Sequence, residues 1–186
     1  MAERIANIIL LIEDLSQESL LRRYLQRLGQ SNRNMRPRKL PKGQGSGEQF
    51  VRENYASEVR AIRSQMTRTR ACLIAMIDAD TGSVGDRRQQ LERALRDVDE
   101  SARGPSEAIL NLIPRRNVET WILCLNSHEV DENTDYRGDH RVNAQSIKQA
   151  AVNLFSWTRP SQTVPKTCVS SLLDCWPEFR RIPGDE

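Results

Sequence analysis

The stretch Ile5-Ala6-Asn7-Ile8-Ile9-Leu10-Leu11-Ile12 is an almost unbroken apolar run that stops at Glu13-Asp14 and passes at once into helical spacing at Leu21, Tyr24, Leu25 and Leu28. A strand apolar on consecutive residues has both faces to cover, as in a sheet flanked by helices. Asp14 or Ser16 can cap the helix that follows, and Gly29 offers its stop.

The same grammar recurs. Ala71 to Ile77 is a second apolar run, ended by Asp78-Ala79-Asp80; after Gly82 and Gly85, Leu91, Ala94, Leu95 and Val98 mark an amphipathic helix. Ala108 to Ile113 is a third run, ended by Pro114, before Val118, Trp121, Ile122 and Leu125 line a further helix. Between the first two runs, residues 30 to 47 are polar and broken by Pro37, Pro41, Gly43, Gly45 and Gly47, which predicts a loop with a short edge strand around Met35 to Leu40. From Glu48 a helical face follows through Val51, Tyr55, Val59, Ile62 and Met66. Alternating strands and helices predict an α/β fold, a mostly parallel sheet with right-handed crossovers.

After about residue 127 the signal weakens. Glu129 to Asp139 reads as an acidic loop, Ala144 to Phe155 as a helix, and Leu172 with Trp176 as a short closing helix. The expected organisation is one α/β domain over residues 1–127 and a helical extension over 128–186 packed on it. A chain of 186 residues with 38% hydrophobic and 28% charged residues fits one body with a real core and excludes disorder throughout.

Several classes fall away. No run of eighteen apolar residues exists, and the N-terminal run is too short for a bilayer and lacks the flanks of a signal peptide, so a cytosolic protein is expected. Cys72, Cys124, Cys168 and Cys175 form no CxxC pair and no zinc spacing with His128 and His140, which speaks against structural zinc and a disulfide scaffold. Cys72 and Cys124 read as small core residues, the histidines as surface residues, and Trp121, Trp157 and Trp176 as packing residues.

In an open parallel sheet the functional crevice lies beyond the carboxyl ends of the strands, where Glu13, Asp78 and Asp80 must all project. Carboxylates gathered there repel one another unless a cation compensates them, and hard oxygen ligands suit Mg²⁺ or Mn²⁺. Glu119, carried over the same edge by Pro114-Arg115-Arg116-Asn117, is a fourth candidate; its alternative role is to favour the start of its helix. For Asp78 and Asp80 the alternative is ordinary loop capping after a buried strand.

Charge is segregated. Residues 22 to 70 hold thirteen Lys or Arg against three acids, so a net charge of +3 leaves the rest of the chain at −7. Arg33, Arg36, Arg38, Lys39 and Lys42 make a stretch that attracts a polyanion such as nucleic acid, or serves as a solvated face or an acidic partner's contact. Arg115 and Arg116 are candidate phosphate clamps. Gly43-Gln44-Gly45-Ser46-Gly47-Glu48 enters a helix without the Lys-Ser/Thr of a P-loop, which argues against nucleotide hydrolysis.

These motifs, in this order, resemble a family. The strand-Glu-helix opening from Ile8 to Leu28 and the strand-DxD from Leu73 to Asp80 look like the Toprim domain of topoisomerases, primases, recombination-repair proteins and overcoming-lysogenization-type nucleases. Lys39-Leu40-Pro41-Lys42-Gly43-Gln44-Gly45 and Ile113-Pro114-Arg115-Arg116-Asn117-Val118-Glu119-Thr120-Trp121-Ile122-Leu123 resemble small stand-alone Toprim proteins encoded beside ABC-type ATPases in bacterial phage defence. The resemblance covers roughly residues 5 to 126. It implies that Glu13 is the general acid/base or metal-coordinating glutamate, that Asp78 and Asp80 hold Mg²⁺, and that Glu119 is an accessory acid. It also implies a Mg²⁺-dependent endonuclease, the effector of an ATPase-linked system acting on DNA or RNA; in an active site of that kind Lys39 or Lys42 tracks the backbone, and the alternative for each of these cations, as for Arg115 and Arg116, is a solvated loop position. Toprim domains usually place Gly after the first glutamate; this chain has Asp14, whose side chain either crowds the phosphate approach or adds a ligand.

Two other readings compete. Ile12-Glu13-Asp14-Leu15 followed by Glu18-Ser19-Leu20-Leu21-Arg22-Arg23 looks like the opening of a response-regulator receiver, with Asp78 as phospho-acceptor, although no lysine ends the third run. The last is a non-catalytic subunit that docks an ATPase or another protein through its acidic edge and basic loop.

Overall fold

Alternate residues of the apolar runs serve opposite faces of one sheet. The structure is a computed structural model and describes residues 4–41, 43–159 and 168–183. Four strands, β1 (Asn7–Leu11), β2 (Met35–Arg38), β3 (Ala71–Met76) and β4 (Ile109–Leu112), pair in parallel in the order β2-β1-β3-β4. One face carries Ile8, Leu10, Cys72, Ile74, Leu110 and Leu112 into a core with α1 (Leu15–Arg27), α4 (Val118–Leu125) and α5 (Ala144–Trp157). The other carries Ile9, Leu11, Leu73, Ala75 and Ile109 into a core with α2 (Gly47–Met66) and α3 (Val84–Arg96). The architecture is the expected α/β one, a Rossmann-like parallel sheet between helical layers.

With both faces apolar, side-chain alternation does little to fix strand register. The rim favours the observed register instead, because a slip would part the buried Asp78 from the hydrogen bonds it makes with Glu13 and Gln17 and leave a buried carboxyl unpaired.

Both sheet edges are blunted. The outer strand β2 contains Pro37, which has no N–H to offer a further strand. At the opposite edge, the N–H groups of Asn111 and Ile113 donate to Glu178 Oε2 at 2.7 Å and Cys175 Sγ at 3.3 Å. Those partners belong to the closing segment built from α6 (Ser170–Asp174) and α7 (Trp176–Phe179). The closing segment and α5 share the first core: Phe179 meets Tyr24 edge-on at 5.3 Å between ring centroids, and the Trp121 indole donates to Ser171 Oγ at 2.7 Å.

Local expectations fare unevenly. Asp14 caps α1, and Gly29 stands just past it at φ +82°. The short edge strand forms, as do the helix after residue 144 and the closing helices. Val98 does not belong to the buried face expected of it: α3 ends at Arg96, and Val98 is 42% exposed. All four cysteines are buried free thiols, and both histidines are exposed. Among the described residues no helix is long and apolar enough to cross a membrane.

Candidate functional site

The pairing of β1 with β3 ends at Leu11 and Ala75, and side chains then continue it. Glu13 Oε1 accepts the backbone N–H of Asp78 at 2.5 Å, bridging the two strand ends. Gln17, one turn into α1 and fully buried, accepts the Glu13 N–H on its Oε1 at 2.9 Å and donates from Nε2 to Asp78 Oδ1 at 3.0 Å. Asp14 Oδ1 in turn accepts the Gln17 N–H at 2.9 Å, so the cap that starts α1 also fixes that amide. From α3, Arg87 donates from Nε to the Asp78 carbonyl at 3.0 Å and pairs through its Nη1 with Glu48.

The expected acids thus come to one rim unequally. Glu13 and Asp78 are hydrogen-bonded neighbours. Glu119, in the first turn of α4, is 7% exposed, and its Oε2 has no hydrogen-bond partner among the described residues. Asp80 sits in a left-handed turn at φ +53° and faces the loop after α4, where its Oδ1 accepts from Arg137 Nη2 at 3.2 Å. Arg137 also pairs with Asp135 at 3.1 Å, and Asp135 accepts from Asn117 Nδ2 at 2.7 Å. Among the described residues no three His, Cys, Asp or Glu side chains already stand in a metal-holding arrangement.

Electrostatics marks the group as unusual. Burial raises the Glu13 carboxyl to about 7, with Asp80 and Asp14 pushing the same way and the Asp78 N–H and Arg87 opposing. Burial, then the charge of Glu13, raises Asp78 well above the usual carboxylate range. Glu119 is raised as well, by burial first and by Asp14 next. Glu13, at about 7, can exchange a proton near neutrality, and all three raised carboxyls can accept a cation that relieves their repulsion.

The expected phosphate-binding cations are mostly engaged with neighbours. Lys39 pairs with Glu18, Arg115 donates to the Gly82 carbonyl, and Arg116 lies 3.6 Å from Asp135 while its Nε has no partner. Arg38 pairs with Glu58 at 3.4 Å. Arg33 and Arg36 are exposed beside them, and Lys42 lies outside the described residues. The glycine loop has a closer tie to the acids. Gly47 packs on Glu13 so tightly that a Cβ there would lie 2.7 Å from the Glu13 carbonyl oxygen. This brings the amino end of α2 to the acidic rim.

Three residues of the site escape sequence reasoning. Gln17 leaves a trace, since Asp14-Leu15-Ser16-Gln17 has the spacing of a capping box, in which the fourth side chain turns back toward the helix start. Arg87 leaves another: it precedes Leu91 and Leu95 at intervals of four and therefore shares their buried face. Arg137 leaves none.

No protein-family model, no curated protein and no solved structure matches this chain.

Proposed function

We propose that the chain is a divalent-metal-dependent nuclease that cleaves phosphodiester bonds in DNA or RNA. The observation that carries this reading is the acidic rim itself. Glu13 and Asp78 are joined across two strand ends, and their carboxyls are held at raised pKa by burial. The donors are all hard oxygens, and Glu119 adds a buried carboxylate oxygen with no hydrogen-bond partner, so the set fits Mg²⁺ or Mn²⁺ in chemistry.

Glu13, Asp78 and Asp80 are the residues that would hold the ion, with Asp80 exchanging its contact to Arg137 for the metal. Bound Mg²⁺ supplies neutralisation of the scissile phosphate and of charge developing on the attacking or leaving oxygen. The chain's own part is positional and protonic. Gln17 and Arg87 anchor Asp78, while Glu13 either joins the ion's ligands or, where it stays uncoordinated, takes a proton from an attacking water and returns one to the leaving oxygen. The exposed Arg33 and Arg36, before and at the start of the edge strand β2, provide phosphate contacts away from the acidic rim that carry no base specificity. By its resemblance to stand-alone Toprim proteins, the nuclease is the effector half of an ATPase-linked bacterial defence system, its partner an ABC-type ATPase.

The test is a cleavage assay on duplex DNA, single-stranded DNA, transfer RNA and other RNA, with metal omitted and restored, run with and without the ATPase. Wild type is expected to cleave at least one substrate only when Mg²⁺ or Mn²⁺ is present, and Asp80→Asn to lose that activity. Intact substrates under every condition, with Glu13→Ala and Asp78→Ala preserving assembly with the ATPase, would replace this reading with that of a binding subunit. Phosphate uptake by Asp78 from acetyl phosphate would replace it with a receiver.

A further inference from the structure

Among the buried polar residues, Gln17 stands apart in where its hydrogen bonds go. It lies on the inner face of α1, fully buried among Leu20, Leu21 and Tyr24, yet neither end of its amide serves the core. Its oxygen accepts the Glu13 N–H at 2.9 Å, and its nitrogen donates to Asp78 Oδ1 at 3.0 Å. It therefore touches both of the acids that meet at the strand ends. A primary amide suits this place because the two ends need opposite polarity: one an acceptor for a backbone donor, the other a donor for a carboxylate. Glutamate would put oxygen against oxygen, lysine has no acceptor, and an aliphatic chain would leave two buried polar groups unmet.

The hydrogen bonds also divide the labour of the acids. With Asp78 Oδ1 engaged by Gln17 and Glu13 Oε1 engaged by the Asp78 N–H, each carboxylate has one oxygen committed to the protein. The other oxygen of each is the one a cation would use. Around them, Arg87 fixes the Asp78 carbonyl and Asp14 fixes the Gln17 backbone, so the amide has little freedom to turn away.

The geometry points to Gln17 as a positioning residue that orients Asp78 and Glu13 for one divalent cation, so that each presents a single oxygen. This rests on the metal-dependent reading above and adds a residue to it. Partners that orient a metal's ligands typically govern affinity by about 10- to 100-fold when removed.

The experiment is calorimetric titration of the purified chain with Mn²⁺ alone, without nucleic acid, using wild type, Gln17→Met and Val59→Ala. Met conserves volume and burial while removing both hydrogen bonds. Val59, fully buried on α2 in the opposite core, gives a variant destabilised far from these contacts. Gln17→Met is expected to weaken the Mn²⁺ Kd at least tenfold, whereas Val59→Ala lowers Tm and leaves Kd unchanged. If Met at 17 prevents folding, Gln17→Asn, shorter by one methylene and unable to span both partners, is expected to weaken Kd in the same direction. Wild type that binds Mn²⁺ no more tightly than the folded Gln17 variant overturns the role given to Gln17 and leaves the metal reading standing. Wild type that takes up no Mn²⁺ overturns both.

Discussion

Gly47 and Glu13 touch backbone to backbone: a Cβ built on Gly47 would meet the Glu13 carbonyl oxygen at 2.7 Å and its Cα at 3.0 Å. The atoms in the way belong to the main chain at the end of β1 and cannot swing aside as a flexible side-chain tip would. Gly47→Ala is therefore expected to push α2 and Glu13 apart, at a cost of about 1–3 kcal/mol. Thermal denaturation should show the lower Tm, and Mn²⁺ titration a weaker Kd, because Glu13 moves with its backbone. An alanine variant with unchanged Tm would mean that the contact is looser than described.

Stability should depend on pH in the direction opposite to that of an ordinary salt-bridged protein. The Glu13 carboxyl stands at about 7 in the folded chain against 4.5 for an unperturbed glutamate, and Asp78 is raised too. Between these limits the folded state holds more protons than the unfolded one, so the free energy of unfolding falls as pH rises through the window. Tm is expected to decline from pH 5.5 to 7.5 without divalent metal, and 5 mM Mg²⁺, a concentration on the order of typical assay use, should recover part of the loss at the upper end by mass action. Glu13→Gln should flatten the decline. A Tm that climbs over that pH range in the wild type would refute the buried-acid account.

Arg137 occupies the Asp80 carboxylate that the proposed metal would need. Their contact at 3.2 Å is partly exposed, with about half the Arg137 side chain open to water, and ion pairs of that kind contribute roughly 0.2–1 kcal/mol. Arg137→Gln should accordingly tighten Mn²⁺ binding by about 1.5- to 5-fold, with little change in Tm. Weaker binding in that variant would instead assign Arg137 a part in holding Asp80 in place.

The parts of this molecule legible in its sequence are those set by one-dimensional periodicity. Three apolar runs, each closed by acids or proline, disclosed the two inner strands, the edge strand β4 and the rim to which Glu13 and Asp78 project, because burial on two faces favours that pattern. The helix through Val98 overran its true end, since an apolar residue two positions past Arg96 keeps the right spacing without being buried. Contacts between distant segments were out of reach. Nothing in the spacing of Asp80 shows that Arg137, 57 residues later, takes its carboxylate. Likewise, no pattern shows that Glu178 and Cys175 close the edge of β4, because those bonds depend on how the closing segment lies across the strand.

The exposed cations give the last test, one that separates a polyanion-binding edge from a merely solvated one. Arg33, just before β2, and Arg36, within it, are exposed, whereas Lys39 and Arg38 are tied to Glu18 and Glu58. A cation already paired releases little counterion on meeting a phosphate, because it must first give up its carboxylate. An exposed one contributes about 0.7 to the slope of log K against log salt for each phosphate of a single strand that it neutralises. Replacing Arg33 and Arg36 together by alanine should reduce the slope measured on single-stranded DNA and RNA by about 1–2 and weaken binding evenly across sequences, with Tm unaltered. Lys39→Ala should change the slope by less than half as much and lower Tm slightly through the loss of Glu18. Equal slopes in wild type and the double variant would place the nucleic acid on another face of the protein.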